Sequence, residues 1–201
     1  MDSSLFDLIK KTTKENLNYV VSAYKDNVAF IEGPLINQFA PELGDKPSSY
    51  KESKFKSIIS LKAETHNFPT TVEPFSGAAT GSGGEIRDRL AGGQGSLPLA
   101  GTAVYMTPYP RIDDSNIGFQ ERKWLYQKPI DILIKASNGA SDFGNKFGQP
   151  LISGSLLTFE HKEEDKLLGF DKVIMLAGGI GFAKHDHSKK KKIQQGDLIV
   201  V

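Results

Sequence analysis

The chain has 201 residues, 38% apolar and 24% charged, a balance that suits a globular domain large enough to close a hydrophobic core. A net charge of +1 argues against a surface dedicated to nucleic acid, and the lack of cysteine excludes a disulfide framework, a thiolate metal site and a cysteine nucleophile within it. No apolar run approaches the roughly 20 residues that span a bilayer, and the N-terminus, with Asp2 and no long apolar core, is not a signal peptide, so the expected setting is the cytoplasm, away from membranes.

In chain order, Leu5, Leu8, Ile9, Leu17, Val20, Val21 and Tyr24 have helical spacing. They predict a helix from residue 4 to about 25, capped by Ser3 or Ser4. "NVAFIEG" (27–33) reads as a strand, and residues 34–54, with three prolines, as a loop or irregular insertion. "FKSIISLKAE" (55–64) reads as a strand, after which Pro69 and Pro74 are expected to keep the chain extended. A glycine-rich loop then opens a short helix at 84–93. Further strands are expected at 100–109, 131–137, 150–161 and 171–184, with a long connection around Trp124 and a short helix or glycine-rich turn at 138–148. "LAGGIG" (176–181) suggests a bulge or a close backbone approach. The ending "QQGDLIVV" reads as a turn and the start of a strand, which suggests a piece of a longer chain. Strands with interspersed helices and no strict alternation predict an α+β fold, a mixed or antiparallel sheet with flanking helices, as one domain over 1–201.

Two constellations carry chemistry. "GAATGSGGE" (77–85) suits either an anion cradle of backbone N–H groups at a helix start or a surface loop, and fits neither a P-loop nor a dinucleotide fingerprint. Arg87 beside it can grip phosphate, and Asp88 can hold Mg²⁺; the alternative is a solvated ion pair with Arg89 or Glu85. In "LKAETHNFP" (61–69), strand alternation puts Lys62, Glu64 and His66 on one face. That face is either an active-site wall for phosphate, metal and proton, or an exposed strand surface. Asn138, Asp142 and Asn145 suit a ligand rim or turn and capping roles, and "HDHSKKKK" (185–192) suits a solvated loop.

The run "LKAETHNFPTTVEPFSGAATGSGGEIRD", with "GGQGSLPLAGTAVY", "ASNGASDFGNKFGQPLISG" and "IMLAGGIG", closely resembles the synthetase signature of the phosphoribosylformylglycinamidine synthase family in its large, multidomain form. The resemblance covers nearly the whole chain. It implies a fold like the N-terminal domain of aminoimidazole ribonucleotide synthetase-like proteins, with ATP as co-substrate and Mg²⁺ as cofactor. The implied reaction converts formylglycinamide ribonucleotide, ATP and glutamine-derived ammonia to formylglycinamidine ribonucleotide, ADP and phosphate, a step of purine biosynthesis.

By the resemblance, His66 aligns with a catalytic acid/base, and Glu64 and Asp88 with magnesium ligands. Lys62 aligns with a nucleotide-contacting lysine. Gly77, Ala78, Ala79, Thr80, Gly81, Ser82, Gly83, Gly84, Glu85, Ile86, Arg87 and Asp88 align with the ATP-binding segment. Thr65, His66, Asn67, Phe68 and Arg87 align with substrate contacts. Many family members carry histidine where this chain has Phe68, which can neither donate nor accept a hydrogen bond, so His66 acts alone. The expected partners are the remaining synthetase domains, a glutaminase domain, and a second copy paired through open sheet edges. Two rival readings remain: a nucleotide-binding or scaffolding domain without turnover, and another ATP-activating synthetase of the same superfamily.

Overall fold

The computed structural model describes residues 3–44, 46–112 and 125–200. Trp124, much of the connection read around it, and Val201 lie outside these residues. Helix α1 (Leu5–Glu15) begins at Ser4, whose hydroxyl accepts the Asp7 N–H (3.1 Å) while the Asp7 carboxylate accepts the Ser4 N–H (3.3 Å). The helix ends at Glu15, about ten residues before its expected limit. The polar run after Ile9 breaks the apolar stripe, and the β-branched pair Val20–Val21 belongs to an edge strand, β1 (Val20–Ser22).

Strands β2 (Ala29–Pro41) and β3 (Tyr50–Thr65) form one long antiparallel hairpin, so the loop expected at 34–54 is mostly ladder. Its prolines sit where a ladder tolerates them. Pro34 lies at a register shift between Glu32 and Leu35, Pro41 ends the strand and Pro47 is in the turn. β3 gains its second neighbour only from Ser57 onward, so residues 35–41 and 50–56 project as a two-stranded ribbon, with Phe39 and Tyr50 packed near its tip.

After β3 the expected extended segment and glycine loop are both helical: α2 (Asn67–Val72) and α3 (Pro74–Ala91). Pro69 falls in the first turn of α2 and Pro74 opens α3, positions where a missing N–H costs nothing. β4 (Leu97–Thr107) follows, then α4 (Pro129–Lys146), which replaces the strand expected at 131–137 and takes the helical alternative over most of 138–148. β5 (Leu151–Thr158), the small hairpin β6 (Glu160–Glu163) and β7 (Lys166–Gly169), β8 (Ile174–Lys184) and a single 3₁₀ turn (His185–Ser188) complete the order. The β3–β8 register runs unbroken through Gly178–Gly181, and the irregularity lies opposite, between Pro98 and Ala100 of β4, so the bulge expected in "LAGGIG" is absent. Leu198, Ile199 and Val200 are 90–92% exposed and form no strand.

Among the described residues the main sheet has the order β1-β2-β3-β8-β4-β5, antiparallel except for β4 and β5, which α4 connects in parallel. This is the α+β class expected. Helices α2, α3 and α4 pack on one another and against β3, β8 and β4. Small residues make this contact close: Ala78, Ala136, Ala140 and Ala177 meet Tyr105 and Met175 in one core cluster, and Val28, Phe30, Ile58 and Ala183 form a second. Away from those helices, Leu61, Ala63, Thr102, Ile152 and Ile180 line a shallow depression of about 510 Å³. Among the described residues, no helix is long and apolar enough to cross a membrane.

Candidate functional site

The site forms where the end of β3 lies against α3. Strand alternation sends Lys62 and Glu64 toward the helix, and His66, just past the strand, follows them. On the facing side of α3, Gly77, Gly81 and Gly84 recur at spacings of four and three, one bare stripe of the helix. Neighbouring elements fill the space so left. A Cβ at Gly77 would stand 2.5 Å from the Pro69 and Thr70 backbone of α2, one at Gly81 2.8 Å from Met175 Sδ and 3.0 Å from His66 Cβ, and one at Gly84 in ordinary contact with Glu64 Cγ at 3.4 Å. The glycines therefore let α2, β8 and His66 approach the helix closely. Their N–H groups are spent on helical hydrogen bonds and do not form the anion cradle envisaged for Gly81–Gly84.

Lys62 joins the two acids. Its Nζ lies 2.8 Å from Asp88 Oδ2 and 3.4 Å from Glu64 Oε2. The Lys62 and Asp88 side chains are only 16% and 13% exposed, so solvent screens the pair less than it would a surface bridge. Burial alone would lower the Lys62 pKa, but the hydrogen bond and charge of Asp88, with Glu64 adding to them, raise it above the ordinary lysine value. Asp88 thus pairs with Lys62, while Arg89 pairs with Glu85. Arg87 stands outside, 75% exposed, its Nε 3.7 Å from Asp88 Oδ1.

His66 Nδ1 is 2.6 Å from the Gly77 carbonyl oxygen. A carbonyl only accepts, so Nδ1 carries the proton and neutral His66 keeps an unprotonated Nε2. The backbone around it is pinned: the His66 N–H donates to the Met175 carbonyl (3.0 Å), and Asn67 Oδ1 accepts the Met175 N–H (3.0 Å). Asn67 therefore spends its side-chain oxygen on the scaffold.

The remaining expected residues scatter. Thr65 and Phe68 are exposed, Phe68 at 54%. Thr80 is exposed and its hydroxyl donates to the Ser76 carbonyl, while Ala79 is half-buried. Ala78 and Ile86 are core, and Ser82 and Gly83 are buried, with the Phe143 ring lying on Gly83. Glu85 is buried against Arg89 and Gln149. Sequence reasoning passed over Gln149 and weighed Arg89 only as one end of a solvated ion pair, although Glu85 and Arg89 stand at the i, i+4 helical spacing. Asn138 and Ser141 line a groove of about 670 Å³ between α4 and β5.

No family model matches the chain. It is 43% identical over 213 aligned positions to the phosphoribosylformylglycinamidine synthase of Schizosaccharomyces pombe, an alignment that covers 100% of this chain and 15% of the relative. The enzyme of that name from Dictyostelium discoideum is 38% identical over 204 positions, 99% of this chain and 15% of the relative. A solved structure described as AaThiL complexed with AMPPCP and TMP superposes with a TM-score of 0.52 at 14% identity, covering 90% of this chain and 41% of that one, a likeness of fold. In sequence, then, the chain is similar over its full length to one segment of the phosphoribosylformylglycinamidine synthases, a segment spanning about 15% of those proteins.

Proposed function

We propose that the chain is the part of a phosphoribosylformylglycinamidine synthase that handles ATP and the substrate ribonucleotide, in an ATP-dependent ligation of ammonia to formylglycinamide ribonucleotide. The observation that carries the reading is the convergence of Lys62, Glu64 and Asp88 beside a histidine with a free ring nitrogen. Two carboxylates that already share the ammonium of Lys62 are spaced to share a cation. That donor set fits Mg²⁺, which is commonly held by one or two carboxylates together with substrate phosphates. Among the described residues no cluster of three or more His, Asp or Glu makes a closed metal centre, so phosphate oxygens and water would complete the shell. Bound there, the ion would offset the charge of the transferred phosphoryl group.

The protein's own groups do the rest. Arg87, exposed at the rim, grips a phosphate bidentately through two of its oxygens, and Lys62 turns its ammonium from the acids toward the nucleotide phosphates. His66 Nε2 removes a proton from the entering nitrogen, while its Nδ1–H, held by Gly77, fixes the ring. Positioning and charge supply most of such a catalysis. The remaining synthetase domains and a glutaminase domain would complete the site and deliver ammonia, in the cytoplasm. A second copy could pair through the free edge of β5.

Calorimetry with Mg-ATP tests the reading. Asp88→Asn should weaken magnesium-dependent nucleotide binding by about tenfold or more, as expected for loss of a charged ligand. Unchanged magnesium dependence would remove Asp88 from the metal. An ammonia-dependent phosphate-release assay on the chain with its partner domains separates a catalytic segment from a passive nucleotide holder.

A further inference from the structure

We propose that Glu85, Arg89 and Gln149 form a buried clamp that fixes the rotation of α3 on the sheet and so holds Asp88 against Lys62. The claim deepens the reading above and rests on it only in calling Asp88 functional. Glu85, Arg89 and Gln149 are all essentially inaccessible, at 1%, 0% and 1% exposure. Arg89 donates from Nε to Glu85 Oε2 (2.8 Å), from Nη1 to the Ile180 carbonyl (2.7 Å), and from Nη2 to both Glu85 Oε2 and Gln149 Oε1. Gln149 Nε2 closes the ring by donating to Glu85 Oε1. Three parts of the fold are joined: α3, the middle of β8, and the turn after α4.

The sheet is built to admit this group. A Cβ at Gly179 would fall 2.5 Å from Glu85 Oε2 and 2.6 Å from Arg89 Nη2, so the run read as a possible bulge is the floor under a charged cluster. Burying an ion pair gains little stability by itself, since desolvation offsets the attraction; setting a register is the best-attested use of such a pair. α3 needs one. Gly77, Ala78, Gly81, Gly83 and Gly84 give its first half almost no side-chain ridges to lock into a groove. Ala78 and Ile86, both fully buried, seat it on the core, and polar pins fix its rotation further: the Gly77 carbonyl on His66 at one end and the Arg89 cluster at the other. At about 100° per residue, Asp88 lies about 60° around the helix from Glu85, so the clamp that seats Glu85 over β8 aims Asp88 toward β3.

The test is made on the ligand-free full chain, so it stands whether or not the chain binds nucleotide. Gln149→Leu keeps the side-chain bulk and removes the bridge. Its effect is read by NMR as the through-hydrogen-bond coupling between Lys62 Nζ and the Asp88 carboxylate. We expect that coupling to fall at least threefold while circular dichroism stays native. Ile132→Val, a buried change on the neighbouring helix α4, should lower the melting temperature and leave the coupling intact. Should Gln149→Leu fail to fold, Arg89→Lys, which keeps the charge but cannot span Glu85 and the Ile180 carbonyl together, provides the same reading. Coupling unchanged in the clamp variant, or lost equally in Ile132→Val, would overturn the proposal.

Discussion

Because the Gly77 carbonyl can only accept, the proton of neutral His66 stays on Nδ1 and Nε2 keeps its lone pair. On the proposed function, His66→Ala in the chain with its partner domains should cut turnover by roughly 10² or more with nucleotide affinity little changed, and a rate within threefold of the parent would take His66 out of the proposed chemistry. Tyr105 makes a contrasting case. It is buried, its hydroxyl has no hydrogen-bond partner among the described residues, and burial pushes its pKa up to about 12. The folded state therefore holds the phenolic proton longer than the unfolded chain, and stability present below about pH 10 drains away as pH rises toward 12, by roughly 2–3 kcal/mol. Tyr105→Phe should flatten that alkaline limb and be neutral or stabilising at pH 7; denaturant melts showing a loss above about 1 kcal/mol at neutral pH would mean the hydroxyl is bonded after all. At this scale the sequence was informative for Lys62, Glu64 and His66, because a two-residue period needs only a strand to be right. It could not reveal that Asp88 pairs with Lys62, since that choice depends on how α3 is turned, whereas the Glu85–Arg89 pair stands at a helical spacing the sequence already offers.

Helix α3 meets α4 through missing side chains. A Cβ at Gly139 of α4 would stand 2.0 Å from the Phe75 carbonyl oxygen, a backbone atom that cannot swing aside. Gly139→Ala should therefore destabilise the chain by about 1–3 kcal/mol in urea unfolding, although alanine is the better helix former by roughly 1 kcal/mol. A stabilised variant would show that the helices can separate freely. The same glycines explain why both helices were misread. "DILIKAS" looks like a strand when cut off at Ser137, yet Ile132, Ala136, Gly139, Ala140 and Gly144 form one buried helical stripe across that boundary. The run from Gly77 to Gly84 looks like a loop because glycine is a poor helix former, and only the tertiary contact it permits repays its cost. The β2–β3 hairpin hid behind its prolines, which mark a register shift, a strand end and a turn rather than an unstructured insertion.

For the whole molecule, the α+β class was legible because the count and spacing of apolar runs survive several wrong boundaries. The sheet's one-sided covering was not, since it depends on where the helices land. Ile152 on edge strand β5 is 68% exposed, and Leu156 and Leu157 are each 48% exposed. Such an edge favours pairing, so light scattering on the isolated chain should show self-association that grows with concentration; a monomer throughout would count against a second copy as the edge's partner. The long hairpin carries a mechanical consequence. β3 is a single 16-residue strand, roughly 50 Å of nearly inextensible rod, with Tyr50 at one end and Lys62 and Glu64 near the other. Past Ser57 it is paired on both sides, and before that point with β2 alone, although Phe55 still meets Lys184 of β8. One unbroken strand thus joins the far arm, with Phe39 and Tyr50, to the segment that bears the ammonium and the acid, and a load placed on that arm would be carried there.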